Sequence, residues 1–326
     1  MVRKKDAMWG ILLGIGLIGT IAVVAPARAQ QPRAASAEPE EVGFLRAAGE
    51  SLTGDVYAEP SRWRPLSLGT FFSEGWNQAW ASPSAGGGGA PRQGWINAAD
   101  GVFYRLAIGT FGYKHGTNDN GDVYNGGATL YAPLSRRFEL QFDVPFVTSA
   151  QGTNGSSSHT GFGDFQITPR VILSESRDVT QSLNLTFRTP TGDTNTGNEL
   201  AAVTPNYQFW ANWWRGLVVR GSLGMSVPYH NVSEVGARTS FLGNLAAGYY
   251  FTDHDMTPFG DLVGYVATNL TQATDNRGPA TTGLTFTPGF RTHLGRNWYL
   301  LGGVEVPVTN PKTSDYSLLG GLMFVF

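Results

Sequence analysis

His159 follows Ser156, Ser157 and Ser158. A histidine beside a serine is what acyl transfer needs, because the imidazole takes the hydroxyl proton as the oxygen attacks. In an extended chain His159 shares its face with Gly161, Gly163, Phe165, Ile167 and Pro169, which offer no serine, so a solvated polar loop accounts for the cluster. His115, His230, His254 and His293 are scattered without metal-ligand spacing, and cysteine is absent. The expectation is a protein with no catalytic residues, no cofactor and no metal.

A second set of residues has chemistry of another kind. Arg105, Glu139, Asp143, Asp164, Arg170, Arg188, Arg220, Arg291 and Glu305 stand among apolar neighbours, as an ion-paired or water-filled interior would require. Phe138, Leu140, Phe142, Val144 and Phe146 alternate with Arg137, Glu139, Gln141 and Asp143. Phe165, Ile167, Pro169, Val171 and Leu173 alternate with Asp164, Gln166, Thr168 and Arg170. The same holds for Leu183, Leu185 and Phe187 against Ser182, Asn184, Thr186 and Arg188, and for Leu217, Val219, Leu223, Met225 and Val227 against Arg220, Ser222 and Ser226. Leu284, Phe286, Pro288 and Phe290 likewise oppose Thr285, Thr287, Arg291 and His293. A period of two is that of a strand with unlike faces.

The elements that would position these residues are strands at about 102–113, 122–133, 136–148, 160–173, 178–189, 199–212, 216–228, 238–251, 258–270, 281–293, 297–308 and 315–326. About twelve strands is an even number, as a single-chain bacterial barrel with both ends in the periplasm requires. Two depart from strict alternation: in 258–270 Val263 shares a face with Asp261, Tyr265 and Asn269, and 315–326 is apolar on both faces. The joints at 133–136, 174–177, 213–215, 252–255 and 294–296 are short, whereas 149–158, 190–198, 229–237 and 271–280 are longer and polar. Short periplasmic turns and long outer loops are the habit of outer-membrane barrels. Aromatic residues near strand ends, among them Tyr104, Trp210, Trp213, Trp214, Tyr249, Tyr250, Trp298 and Tyr299, suit the interfacial girdles. The fold expected is all-β: an antiparallel up-and-down transmembrane β-barrel in the outer membrane.

If apolar faces meet lipid, the nine charged residues above line the lumen, since burying any of them in hydrocarbon would cost a few kcal/mol. Two readings stay open. The lumen conducts solutes, or arginine and carboxylate pairs fill it as a sealed core.

Upstream, Arg3, Lys4 and Lys5, an apolar run over 8–25 and Ala27 and Ala29 before Gln30 read as a signal peptide, 1–29, with an uncleaved anchor as the alternative. No later stretch reaches the roughly 20 apolar residues of a spanning helix. The formal charge is −2, of which residues 1–30 contribute +3, leaving −5 for residues 31–326 and arguing against nucleic acid as a partner. Residues 30–100 form an irregular periplasmic segment, and 101–326 the barrel. Within the former, 66–80 carries Phe71, Phe72, Trp76 and Trp80 and precedes the run 86–89 of four glycines. Such a segment either enters the lumen as a plug or lies against the periplasmic rim.

Gly161-Phe162-Gly163-Asp164-Phe165, followed by Arg170, and then Thr189-Pro190-Thr191-Gly192-Asp193 resemble two landmarks of the phenol meta-degradation-pathway type outer-membrane proteins. The resemblance covers 100–326 in layout. It implies a barrel that passes small hydrophobic or aromatic compounds. The final Leu322-Met323-Phe324-Val325-Phe326 resembles the terminal signal that barrels present to the assembly machinery. Outer-membrane lipid, that machinery through Phe326, and small solutes are thus the expected partners. A channel is the expected function, with a structural or adhesive barrel and a phospholipase-like hydrolase as alternatives.

Overall fold

A computed structural model describes residues 42–57, 62–83, 91–92, 94–117, 121–151, 159–193, 199–214, 216–233, 236–278, 281–310 and 312–326, all within one compact unit, Glu40–Phe326. The signal peptide 1–29, the glycines 86–89 and Ser156, Ser157 and Ser158 lie outside the described residues.

Thirteen strands form one sheet: β1 Leu106–Thr117, β2 Gly121–Pro133, β3 Phe138–Gln151, β4 His159–Gly161, β5 Gln166–Glu175, β6 Val179–Arg188, β7 Ala201–Trp214, β8 Leu217–His230, β9 Ser240–Tyr250, β10 Gly260–Ala273, β11 Thr282–Gly295, β12 Trp298–Pro307 and β13 Tyr316–Val325. Neighbours in sequence pair antiparallel except β4 with β5, and β1 also pairs with β13, from Leu106↔Val325 to His115↔Tyr316. The sheet therefore closes on itself and leaves no edge, which hydrocarbon would not tolerate. Both β4 and β5 pair with β3, so they are two pieces of one wall strand, and the barrel has twelve. The expected strand 160–173 is thus interrupted, with Gly163 set against Pro145 of β3.

Exposure sorts by parity. Leu183, Leu185 and Phe187 on β6, Leu223 and Met225 on β8 and Leu300, Val304 and Val306 on β12 are exposed, while Arg170, Arg220 and Arg291 are at most 1% exposed. A molecule with apolar groups outside and charges inside is built for lipid as its solvent. The two irregular strands obey the same parity. On β10, Val263 and Ala267 face inward with Tyr265, and on β13 Met323 and Val325 do so while Leu318 and Leu322 face out. Their inward apolar groups belong to a buried cluster with Trp95, Val102 and Tyr104, which come from outside the wall.

The first strand starts at Leu106 rather than near 102, because residues 101–105 are buried throughout and do not alternate. Upstream, α1 (Phe44–Thr53) buries Ala47 and Ser51, and the Ser51 hydroxyl accepts the Trp80 N–H at 2.8 Å. The stretch 66–80 sits at the short-turn end of the barrel. Leu66 exchanges two main-chain hydrogen bonds with Glu175, at 2.8 and 2.9 Å, and Arg137 donates to Ser67 O and Glu74 O. The segment that enters the lumen is the next one, residues 94–105. Its bulky groups Trp95, Val102 and Tyr104 pack on the inward apolar side chains of the wall, whereas 66–80 is tied to the turns that precede β3 and follow β5.

The parity assignment has a direct test. Leu223→Arg on the lipid face of β8 is expected to cost about 2–4 kcal/mol, whereas Ser226→Arg three residues on, facing the lumen, costs far less. Unfolding in lipid vesicles by urea, followed by heat-modifiable migration, measures both.

Candidate functional site in the barrel lumen

Residues 91–92 and 94–105 belong to a loop that rises into the lumen from the short-turn end and returns to it. At the base, Arg92 pairs with Glu175 at 2.6 Å and donates to Arg177 O at 3.1 Å, while Tyr250 donates to Pro91 O at 2.9 Å. Burial works to lower the Arg92 pKa and Glu175 works against that, with a net downward shift. At the tip, Asn97 adopts a left-handed φ of 57°, a conformation asparagine tolerates. Its amide donates to Glu305 at 2.8 Å and Thr287 at 3.3 Å, and its carbonyl accepts from Asn244 at 3.0 Å and Asn269 at 3.2 Å. One residue is thereby tied to β9, β10, β11 and β12. Glu305 lies seven residues from the start of β12, about 23 Å along the strand, so the tip reaches well past the short-turn end.

On the descending limb, Tyr131 of β2 donates to the Asp100 carboxylate at 2.5 Å, and Arg220 of β8 stands 3.8 Å from its other oxygen. Gly101, at φ 68°, presses its backbone against β7: a Cβ there would meet Phe209 C at 2.6 Å, so no other residue fits without displacement. Gly101 N–H donates to Gln208 at 3.0 Å, and Tyr104 N–H to Glu139 at 2.7 Å.

The residues singled out from sequence divide into groups. Glu139 and Arg170 form a buried ion pair, with Arg170 also donating to Val102 O at 2.9 Å. Arg188 and Asp164 pair at 2.6 Å farther from the short turns, and Asp164 also accepts from Gly192 N at 3.0 Å and Leu200 N at 3.3 Å. Asp143 accepts from Thr129 at 2.7 Å within the wall. Arg220 and Glu305 face the loop, and Arg291 lies between the rings of Tyr250 and Tyr299, 5.3 and 5.1 Å from their centres. Arg105 precedes β1 and turns to the base, donating to Gly54 O at 2.7 Å and to the Phe326 carbonyl, with its guanidinium over the Phe326 ring.

Reasoning from sequence missed Trp95, Asn97 and Asp100, and the wall residues Asn244, Tyr250 and Tyr265. The apolar inward faces of β10 and β13 were the available signal, since a wall strand apolar on both sides needs an apolar partner in the lumen. The hydrolase candidate gains nothing from the structure: His159 opens β4, and its serines are not described. His254 accepts or donates toward Asp261 at 2.7 Å and stacks on His293 at 4.2 Å, but among the described residues no group of His, Asp and Glu could hold a metal ion.

Among known proteins, the profile of a family described as "Putative MetA-pathway of phenol degradation" matches residues 84–312. The fold resembles that of an outer membrane channel from Pseudomonas putida F1, with TM-score 0.55, 16% identity, and coverage of 72% of this chain and 99% of that one. It is also similar to KdgM porin, with TM-score 0.47, 10% identity, and coverage of 68% and 99%. No curated protein matches the sequence.

Removing one member of the buried ion pair leaves the other charged and without its counterion. Glu139→Ala is expected to destabilise the barrel by about 3–5 kcal/mol. Urea titration in lipid vesicles reads this, and a loss below about 1 kcal/mol would mean that the loop's carbonyls suffice for Arg170.

Proposed function

The chain belongs to the family described as "Putative MetA-pathway of phenol degradation", and from that premise we propose that it is an outer-membrane channel for small apolar or aromatic solutes, closed at rest by its own loop 94–104. Residues 1–29 would direct its export. One observation carries the reading: a loop entering from one end stands in the lumen, held to the inward side chains of the wall by hydrogen bonds and ring contacts. The ion pair of Glu139 and Arg170 belongs to the wall and stays when the loop moves. The loop's tip is held by the hydrogen bonds of Asn97, each of which water can replace.

Above the tip, Thr110, Asn125, Thr204, Ser226, Leu242 and Thr271 are neutral inward positions, all at least partly accessible, and the charged Arg188 there is paired with Asp164. Such a mouth admits uncharged solutes without a desolvation barrier. Below it stand the rings of Tyr131, Tyr250, Tyr265 and Tyr299, directed inward. These favour a flat, weakly polar solute over a sugar or a multivalent ion. A purely structural or adhesive barrel would have no use for a displaceable obstruction.

In planar bilayers the protein is expected to give brief, small current steps. The double variant Asn97→Ala, Asp100→Ala, which removes the side-chain ties to four wall strands, β2, β8, β11 and β12, is expected to raise the open time several-fold. A variant that migrates as a folded barrel yet stays as silent as the parent would overturn the channel reading.

A further inference from the structure

The loop's Trp95 lies in a slot made by other strands. Its indole stacks on the Tyr265 ring of β10, with centres 4.7 Å apart and planes within 10°. The Arg220 guanidinium of β8 covers it, 4.2 Å from the ring centre. The floor is Gly248 of β9, where a Cβ would meet Trp95 Cη2 at 2.8 Å. The Trp95 N–H points to the Tyr250 hydroxyl at 3.3 Å, an oxygen whose own proton is used on Pro91 O. Ring face, cation, recess and acceptor all come from β8, β9 and β10, which are joined by continuous ladders. Only the ring they enclose comes from the loop.

We propose that this slot is a solute-binding site for a planar aromatic ring bearing one hydrogen-bond donor, and that Trp95 is its resident occupant, displaced when such a solute arrives. The inference deepens the channel reading and rests on it for the consequence of displacement, though not for the binding itself. The chemistry of recognition is that of the occupant. Stacking on Tyr265 and the facing guanidinium select an aromatic ring over a saturated one of equal size, because only a π-face attracts the cation. The acceptor at Tyr250 selects an N–H or O–H over a bare hydrocarbon. Gly248 sets the depth, since any side chain there would raise the floor into the ring. Competition with the loop lowers the apparent affinity by the fraction of molecules whose slot is vacant. A solute that wins this competition removes the loop's largest apolar anchor while the hydrogen bonds of Asn97 remain to be broken, so occupancy biases the lumen toward the open state.

Two measurements on the whole refolded protein separate the claims. The first is binding of indole in detergent, by calorimetry or ligand-observed NMR, with cyclohexylmethanol as the saturated control. Trp95→Gly vacates the slot and is expected to bind indole at least about tenfold more tightly than the parent, with no matching gain for the control. Adding Tyr265→Leu to that variant should remove the gain. Equal indole affinity in parent and Trp95→Gly, equal gains for indole and the saturated control, or a gain that survives Tyr265→Leu would each overturn the site. The second is bilayer recording. Indole should raise the open probability of the parent and reduce that of Trp95→Gly, where it restores the missing ring. If Trp95→Gly binds indole selectively while every form stays silent, the slot stands and the channel reading falls; if currents appear without selective binding, the reverse holds.

Discussion

Closure of the sheet is the condition on which everything else in this molecule depends. Within hydrocarbon no water is present to bond an unpaired amide, so the first strand must find the last. It does so over ten residue pairs, from Leu106↔Val325 to His115↔Tyr316. Closure then creates an interior shielded from the lipid, and parity delivers every second side chain to it. The arginines of β5, β8 and β11 are inside for that reason, because the other parity would put them among acyl chains.

An enclosed interior raises a second demand, since buried guanidinium groups need acceptors or rings. The wall answers it for Arg170, through Glu139, and for Arg188, through Asp164. For Arg220 the loop answers it, by way of Trp95, Asp100 and the Arg92 carbonyl. Barrel and loop are therefore one electrostatic unit. The same contacts that seal the lumen are polar or aromatic, a kind that a solute or water can replace, and this connects packing to passage.

Much of the wall was legible in the sequence, because alternation is a local property that lipid on one side imposes on each strand separately. β6, β7 and β8 could be read within a few residues, as could the order of short and long joints. Where alternation failed, the cause was the loop: Val263, Met323 and Val325 face inward but meet apolar partners from residues 94–105. The site itself was only half legible. Charges on the inward face could be listed from parity, whereas the hub at Asn97 and the slot around Trp95 arise from contacts across more than a hundred residues of sequence, such as Asn97 with Glu305. No spacing rule records such a contact. Of the two readings open for 66–80, the structure has the one at the rim, and residues 94–105, which no local pattern singled out, enter the lumen instead.

The loop goes in and comes out through one mouth. Its base at Arg92 touches the β5–β6 turn, and its exit at Arg105 meets the carboxyl-terminal residue, both at the end of the short turns. A chain arranged this way is not threaded through the ring, so the two are topologically unlinked. The barrel can zip shut before the loop arrives or around a loop already in place, and withdrawal never requires a free terminus or a parted seam. Movement of the loop out of the lumen and back would leave it tethered at both of its ends.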